Sequence, residues 1–248
     1  MGKSVAKIFE QLLQSLLTTI NSSEKPFNLG IVGPSASGKS TLAEFLKNYL
    51  TKQYPDLTIS IIPLDNFIYS NSYLTKHNLM QEKGFPNSFN WKSLQNFVEQ
   101  LQIGEADYYP MPFYSHDIKD IHPEKTVNIP RSDIYIFEGI SLFYQYESFC
   151  LSSIIDWSVY LDIDKHIIKQ RSVNRFLSAY TDAKKSNHPA EFFRQLLSMP
   201  FDEVKNFAEN LWNSVDDPAI EKYIKPQKES ATVSITSLPT ITELQLPF

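Results

Sequence analysis

The chain has 248 residues, 42% of them hydrophobic, a formal net charge of −5 and one cysteine, Cys150. That is apolar material for one large domain or two small ones. The acidic balance argues against general affinity for nucleic acid or an anionic membrane. The lone cysteine excludes an intramolecular disulfide or a cysteine-based zinc site, in keeping with a cytoplasmic protein.

Val5, Ile8, Phe9, Leu12, Leu13, Leu16, Leu17 and Ile20 recur at helical spacing, broken by Lys7, Gln11, Gln14 and Ser15. Residues 1–25 therefore read as an amphipathic helix, packed on the domain or docked on a partner or membrane surface. No small-residue cleavage site follows it, so it is not read as a signal peptide. No apolar run approaches the ~20 residues that cross a bilayer.

Phe27 to Val32 is an apolar strand pattern, and Gly33-Pro-Ser-Ala-Ser-Gly-Lys-Ser40 follows it. This is a complete G-x-x-x-x-G-K-[ST] phosphate-binding loop, and a helical pattern opens at Thr41. The motif assigns Gly33, Ser35, Ala36, Ser37, Gly38, Lys39, Ser40 and Thr41 to a nucleotide. Backbone N–H groups and the helix N-terminus meet its phosphates. Lys39 reaches the outer phosphates, and the Ser40 hydroxyl sits on Mg2+. The helix is expected to run to about Tyr49.

Leu57 to Leu64 reads as a second strand that delivers Asp65. Asn90 is placed to cap a helix with apolar positions Trp91, Leu94, Phe97, Val98 and Leu101. Tyr109-Pro110-Met111-Pro112-Phe113-Tyr114 reads as a proline-broken segment. Ile134 to Phe137 is a short strand ending in Glu138-Gly139, and Ser158 to Ile163 is another. Helices are expected from about Lys165 to Tyr180 and Phe201 to Trp212, with a last strand at 232–235. The 181–190 stretch is expected to be a mobile surface loop. Strands alternating with helices imply an α/β fold, a three-layer sandwich with a mostly parallel central sheet and helices on both faces.

Ligands of such sheets bind beyond the carboxyl ends of the strands. Asp65, Glu138 and Asp162 lie at such ends. Asp65 is placed to take the proton of an attacking hydroxyl or to hold metal-bound water, and Glu138 to stand as a second acid near Mg2+. Each is equally of the type that forms a turn or caps a helix, and Asp162 has the weakest claim to function. Lys165, His166, Lys169, Arg171 and Arg175 fall on one helix. They read as a solvated face or as a source of cationic charge for phosphoryl transfer.

Several blocks, in order, resemble the bacterial type I pantothenate kinases and, more distantly, the uridine kinases and phosphoribulokinases. They are the loop at 33–41, L-D-N-F at 64–67, K-G-F-P-N-S-F at 83–89 and Y-S-H at 114–116. E-G at 138–139, D-W-S-V-Y-L-D at 156–162 and N-R-F-L at 174–177 complete the series. The resemblance implies a single P-loop kinase domain over 1–248, using ATP and Mg2+. Residues 66–125 would form an acceptor-binding insert, and 165–190 a lid-like basic helix and loop. It implies that Asp65 is the catalytic base, that Lys39 and Arg175 stabilise the γ-phosphoryl group, and that Ser40 and Glu138 handle Mg2+. Tyr114 and His116 would contact the acceptor. The family carries a tyrosine where this chain has Ser172, so Ser172 is a third acceptor-side position and an altered one. The asparagine-rich stretch of the family's pocket has no clear match near Asn213 to Pro218. The implied activity is phosphorylation of pantothenate on the route to coenzyme A, by a homodimer subject to coenzyme A inhibition. A nucleoside, sugar or glycerate kinase and a non-catalytic nucleotide-binding module are the competing expectations. The absence of an N-K-x-D guanine signature counts against a GTPase switch.

Overall fold

The computed structural model describes residues 2–23, 26–187, 189 and 191–236. Its main helices are α1 (Gly2–Ser22), α2 (Lys39–Gln53), α3 (Asn71–Lys76), α4 (Trp91–Ile103), α5 (Lys165–Lys185), α6 (Glu191–Arg194) and α7 (Phe201–Leu211), and further helical turns follow α7 through Ser230. Its strands are β1 (Phe27–Val32), β2 (Ile59–Pro63), β3 (Tyr108–Ser115), β4 (Asp120–Pro130), β5 (Ile134–Gly139), β6 (Trp157–Leu161) and β7 (Val233–Ile235).

Five strands form one sheet in the order β2-β5-β1-β6-β7, and every neighbouring pair is parallel. Strand residues alternate between its two faces, as the two-residue period of a strand demands. Leu29, Ile31, Ile134, Ile136, Trp157, Val159 and Leu161 meet α1 and α2 on one side, through Leu12, Leu13, Leu16 and Ile20 and through Leu42, Leu46 and Leu50. Val32, Ile62, Tyr135, Phe137 and Tyr160 meet α4 and the β3–β4 hairpin on the other. The α/β sandwich and the parallel sheet are as the sequence pattern implied. The N-terminal helix packs on the domain through its second half. The Val5, Ile8 and Phe9 side chains lie outside the described residues.

Two local readings are corrected. The proline-broken segment is a strand: β3 pairs antiparallel with β4 from Tyr108↔Pro130 to Ser115↔Asp120. In a two-stranded ribbon each strand has one unpaired edge. Pro110 and Pro112, two residues apart, place their missing N–H groups along one edge. The segment 181–190 is helical through Lys185, because Ala183 packs with Tyr180 and Phe193 in a third apolar cluster. Lys184 and Lys185 suit the negative end of the helix dipole. His188 and Ala190, from the rest of that expected loop, lie outside the described residues. Among the described residues no helix is long and apolar enough to cross a membrane.

Candidate active site

The carboxyl ends of β1, β2 and β5 open on one cleft. β1 runs into the phosphate loop, whose backbone turns through a positive φ of 61° at Ala36 and 102° at Gly38. Gly38 caps α2 with no side-chain hydrogen bond, so the amides that open this helix have no side-chain acceptor. That is the state in which a helix start receives an anion. Ser35, Ala36, Gly38, Lys39, Ser40 and Thr41 line the cleft. Gly33 and Ser37 are buried beneath the loop, where the Ser37 amide donates to the Pro34 carbonyl at 3.2 Å.

Lys39 is buried, and its Nζ donates to the Pro34 carbonyl at 3.0 Å. Burial pushes its pKa down. The Glu138 and Asp65 charges oppose that push, and Arg175 adds to it. Glu138, at the end of β5, is also buried and accepts from Ser40 Oγ at 2.8 Å. Burial raises its pKa against the pull of Lys39, and Asp65 adds to the rise. One lysine, two carboxylates and one arginine thus act on each other from four separate elements. Among the described residues no cluster of three or more His, Cys, Asp or Glu side chains is arranged to hold a metal. Ser40 and Glu138 suit a magnesium ion that keeps several waters and takes its remaining oxygens from phosphates.

Asp65 sits in a 3-10 turn, Leu64–Phe67, directly after β2. Its neighbour Asn66 is buried and accepts the Tyr114 amide at 2.8 Å, which fixes β3 against the end of β2. Tyr114 and His116 meet edge to face at 5.3 Å, and both line the cleft with Asp65 and Arg175. Burial, then Asp65 and Asp120, push the Tyr114 phenol up to about 12, against Arg175, so it stays a neutral hydrogen-bond donor.

The structure does not bring two of the named residues to this cleft. Asp162 pairs with Lys228 at 2.6 Å, which joins the end of β6 to the segment before β7. Ser172 lies behind Asp216: its hydroxyl donates to Asp216 Oδ2 at 3.5 Å, and Asp216 is the residue that lines the cleft. Burial lifts the Asp216 carboxyl to about 6, against the Ser172 hydrogen bond. Among the rest of the basic helix, Lys169 pairs with Asn213 at 3.0 Å.

Three cleft residues carried no role from their spacing. Lys83 donates to Asn71 Oδ1 at 2.5 Å and to the Lys119 carbonyl. Lys119 lies in the turn between β3 and β4, and Asp120 accepts the Asn71 amide at 2.8 Å. The K-G-F-P block contained a signal for Lys83. A lysine in a polar turn contains none.

A family model described as phosphoribulokinase/uridine kinase matches residues 29–179. A pantothenate kinase of Streptococcus equi subsp. zooepidemicus is 34% identical over 88% of this chain and 71% of its own. One of Streptococcus pyogenes serotype M49 is 34% identical over 84% of this chain and 67% of its own. Among solved structures, a Silicibacter kinase provisionally assigned to a fructose transport system superposes with a TM-score of 0.66. It shares 21% identity, over 91% of this chain and 97% of its own. The D-glycerate 3-kinase of Cryptococcus neoformans superposes at 0.57 with 17% identity, over 89% of each.

Proposed function

The chain belongs to the phosphoribulokinase/uridine kinase family of P-loop kinases, and from that premise we propose that it transfers the γ-phosphate of ATP to the primary hydroxyl of pantothenate. Phosphoryl transfer from ATP to a small molecule is the activity of the family. Pantothenate is supported by the streptococcal relatives, which are named pantothenate kinases.

The observation that carries the reading is the mutual placement of Asp65 and Lys39. They line one cleft, and the Asp65 charge acts on the buried Lys39 ammonium. Asp65 holds the acceptor hydroxyl and takes its proton as the new O–P bond forms and the bond to the departing ADP breaks. Lys39 and Arg175 carry positive charge toward the transferring group. Ser40 and Glu138 would hold magnesium and its waters, which would neutralise phosphate charge when bound. Tyr114 and His116 position the acceptor. Segment 66–125 builds the acceptor side, and Arg175 and Phe176 of α5 line the same cleft.

A second reading, a kinase of another small hydroxyl compound, has one observation in its favour. Ser172 is occupied by Asp216, and Asp216 presents a carboxyl to the cleft. An ADP-release assay with pantothenate, uridine, fructose and D-glycerate decides between them. Preference for pantothenate supports the first reading, and preference for another acceptor the second. Nucleotide binding with no transfer to any acceptor defeats both.

A further inference from the structure

Lys119 is fixed by its backbone. It adopts a left-handed φ of 51°, which side-chain-bearing residues rarely hold without support. Its carbonyl accepts from Lys83 Nζ and from Asn71 Nδ2, the latter at 3.3 Å. The next residue, Asp120, binds the Asn71 and Ile121 amides through Oδ1, both at 2.8 Å. The hairpin tip is therefore tied to the start of α3 and to the loop that carries Lys83.

From that anchored backbone the side chain enters the cleft. Its Nζ stands 4.2 Å from the centroid of the buried Phe193 ring, a contact that orients an ammonium. The charges that act on it are Arg175 and Lys83, both positive. Lys39 and Lys83, the other two cleft lysines whose pKa values burial pushes down, differ. Glu138 and Asp65 offset Lys39, and Asp120 and Asp65 offset Lys83. Lys119 is a half-buried cation with cations for neighbours, an arrangement that costs free energy unless an anion joins it.

The position of that anion follows from the cleft: Lys83 Nζ lies 5.4 Å from the centroid of the Tyr114 ring, and both share the cleft with Asp65, Arg175 and Lys119. Asp65 acts on Lys39 and on Lys83. A molecule with its hydroxyl at Asp65 and its body along Tyr114 ends beside Lys83 and Lys119.

We propose that Lys119, assisted by Lys83, binds a carboxylate or phosphate at the end of the acceptor remote from the reacting hydroxyl, and so restricts this kinase to anionic acceptors. The assignment rests on the kinase reading and sharpens it. Lys119 is a specificity residue, with no part in proton or phosphoryl transfer.

The test uses acceptors that differ in charge at one end: pantothenate against pantothenol, and D-glycerate against glycerol, with ribulose 5-phosphate to separate phosphate from carboxylate. A hydrogen-bonded charge pair is worth about 10-fold or more in binding. The wild type should favour the charged member of at least one pair by that factor in kcat/KM. Lys119→Met should remove most of the preference by raising KM for the charged member. The neutral member and the KM for ATP should stay within about twofold. Lys119→Arg should retain it. Loss of charged and neutral turnover alike, or a parallel rise in the KM for ATP, overturns the assignment. Turnover without charge preference defeats it alone, whereas no turnover of any acceptor defeats the kinase reading together with it.

Discussion

The Ser40 hydroxyl donates to Glu138 Oε1 at 2.8 Å, joining the first turn of α2 to the end of β5. Because β5 lies beside β1 in the sheet, the two oxygens hold a fixed spacing beside the phosphate loop. Glu138→Gln keeps the shape and removes the charge. The magnesium concentration for half-maximal turnover should rise by about 10-fold or more, with ATP affinity nearly unchanged in excess magnesium. A magnesium titration of the initial rate measures this. An unchanged requirement would leave Glu138 with a structural role only.

Asp65→Asn should lower kcat by roughly 100- to 10,000-fold, the span a positioned general base contributes. Nucleotide binding should persist, since the loop amides and Lys39 remain. Calorimetry with a non-hydrolysable ATP analogue and an ADP-release assay separate the two effects. Near-normal turnover would reject Asp65 as the base.

Arg175 is exposed at the cleft wall, yet its charge acts on Lys39, Tyr114 and Lys119. Such a group contributes most when charge builds up on the transferring phosphoryl group. Arg175→Ala should therefore reduce kcat by about 100-fold and change nucleotide affinity only a few-fold. Equal losses in kcat and affinity would identify Arg175 as a binding residue.

The parts of the fold that were legible have strong local causes. The phosphate loop is legible because its glycines, lysine and serine each have one structural job. The buried strands are legible because runs such as Ile134 to Phe137 have no solvated alternative. The β3–β4 hairpin was not, because its strands carry prolines and polar residues and are held by pairing with each other, which no local pattern records. Lys119 was illegible for the same reason: its setting is built by Asn71, Lys83 and Phe193, which are remote from it in sequence. Ser172 was recognisable as a departure, but its partner Asp216 emerges only when α5 packs on the segment after α7.

Lys119 should also leave a signature in stability. Burial, then Arg175 and Lys83, push its pKa from the ordinary 10.5 down to about 8. Between those values the unfolded chain binds more protons than the folded one, so stability rises with pH across the window. Below pH 8 the full cost of holding the charged form is present. Lys119→Met removes that cost, about 1 kcal/mol once solvent screening is allowed for. Tm should rise by about 2–4 °C at pH 7, and the advantage should shrink toward pH 10. Thermal melts of both proteins at the two pH values test this. A variant less stable at pH 7 would show that the lysine contributes packing rather than an uncompensated charge.

Gly139 couples the sheet to the 3-10 turn that carries Asp65 by having no side chain. A Cβ built there would lie 2.5 Å from Leu64 Cδ1 and 2.7 Å from Leu64 Cβ. The Cδ1 atom can swing away, but the Cβ moves only with its backbone. That backbone leads straight into Asp65, and Leu64 is fully buried. Gly139→Ala should therefore act at two levels. Overpacking of this kind costs about 1–3 kcal/mol, seen as a Tm lower by roughly 3–10 °C. Displacement of Asp65 by about an ångström should also reduce kcat by about 100-fold at temperatures where the variant is fully folded. Nucleotide affinity should fall far less, because the loop is anchored on β1 and α2 rather than on Leu64. A variant destabilised but fully active below its transition would mean that the 3-10 turn absorbs the shift without moving the carboxylate.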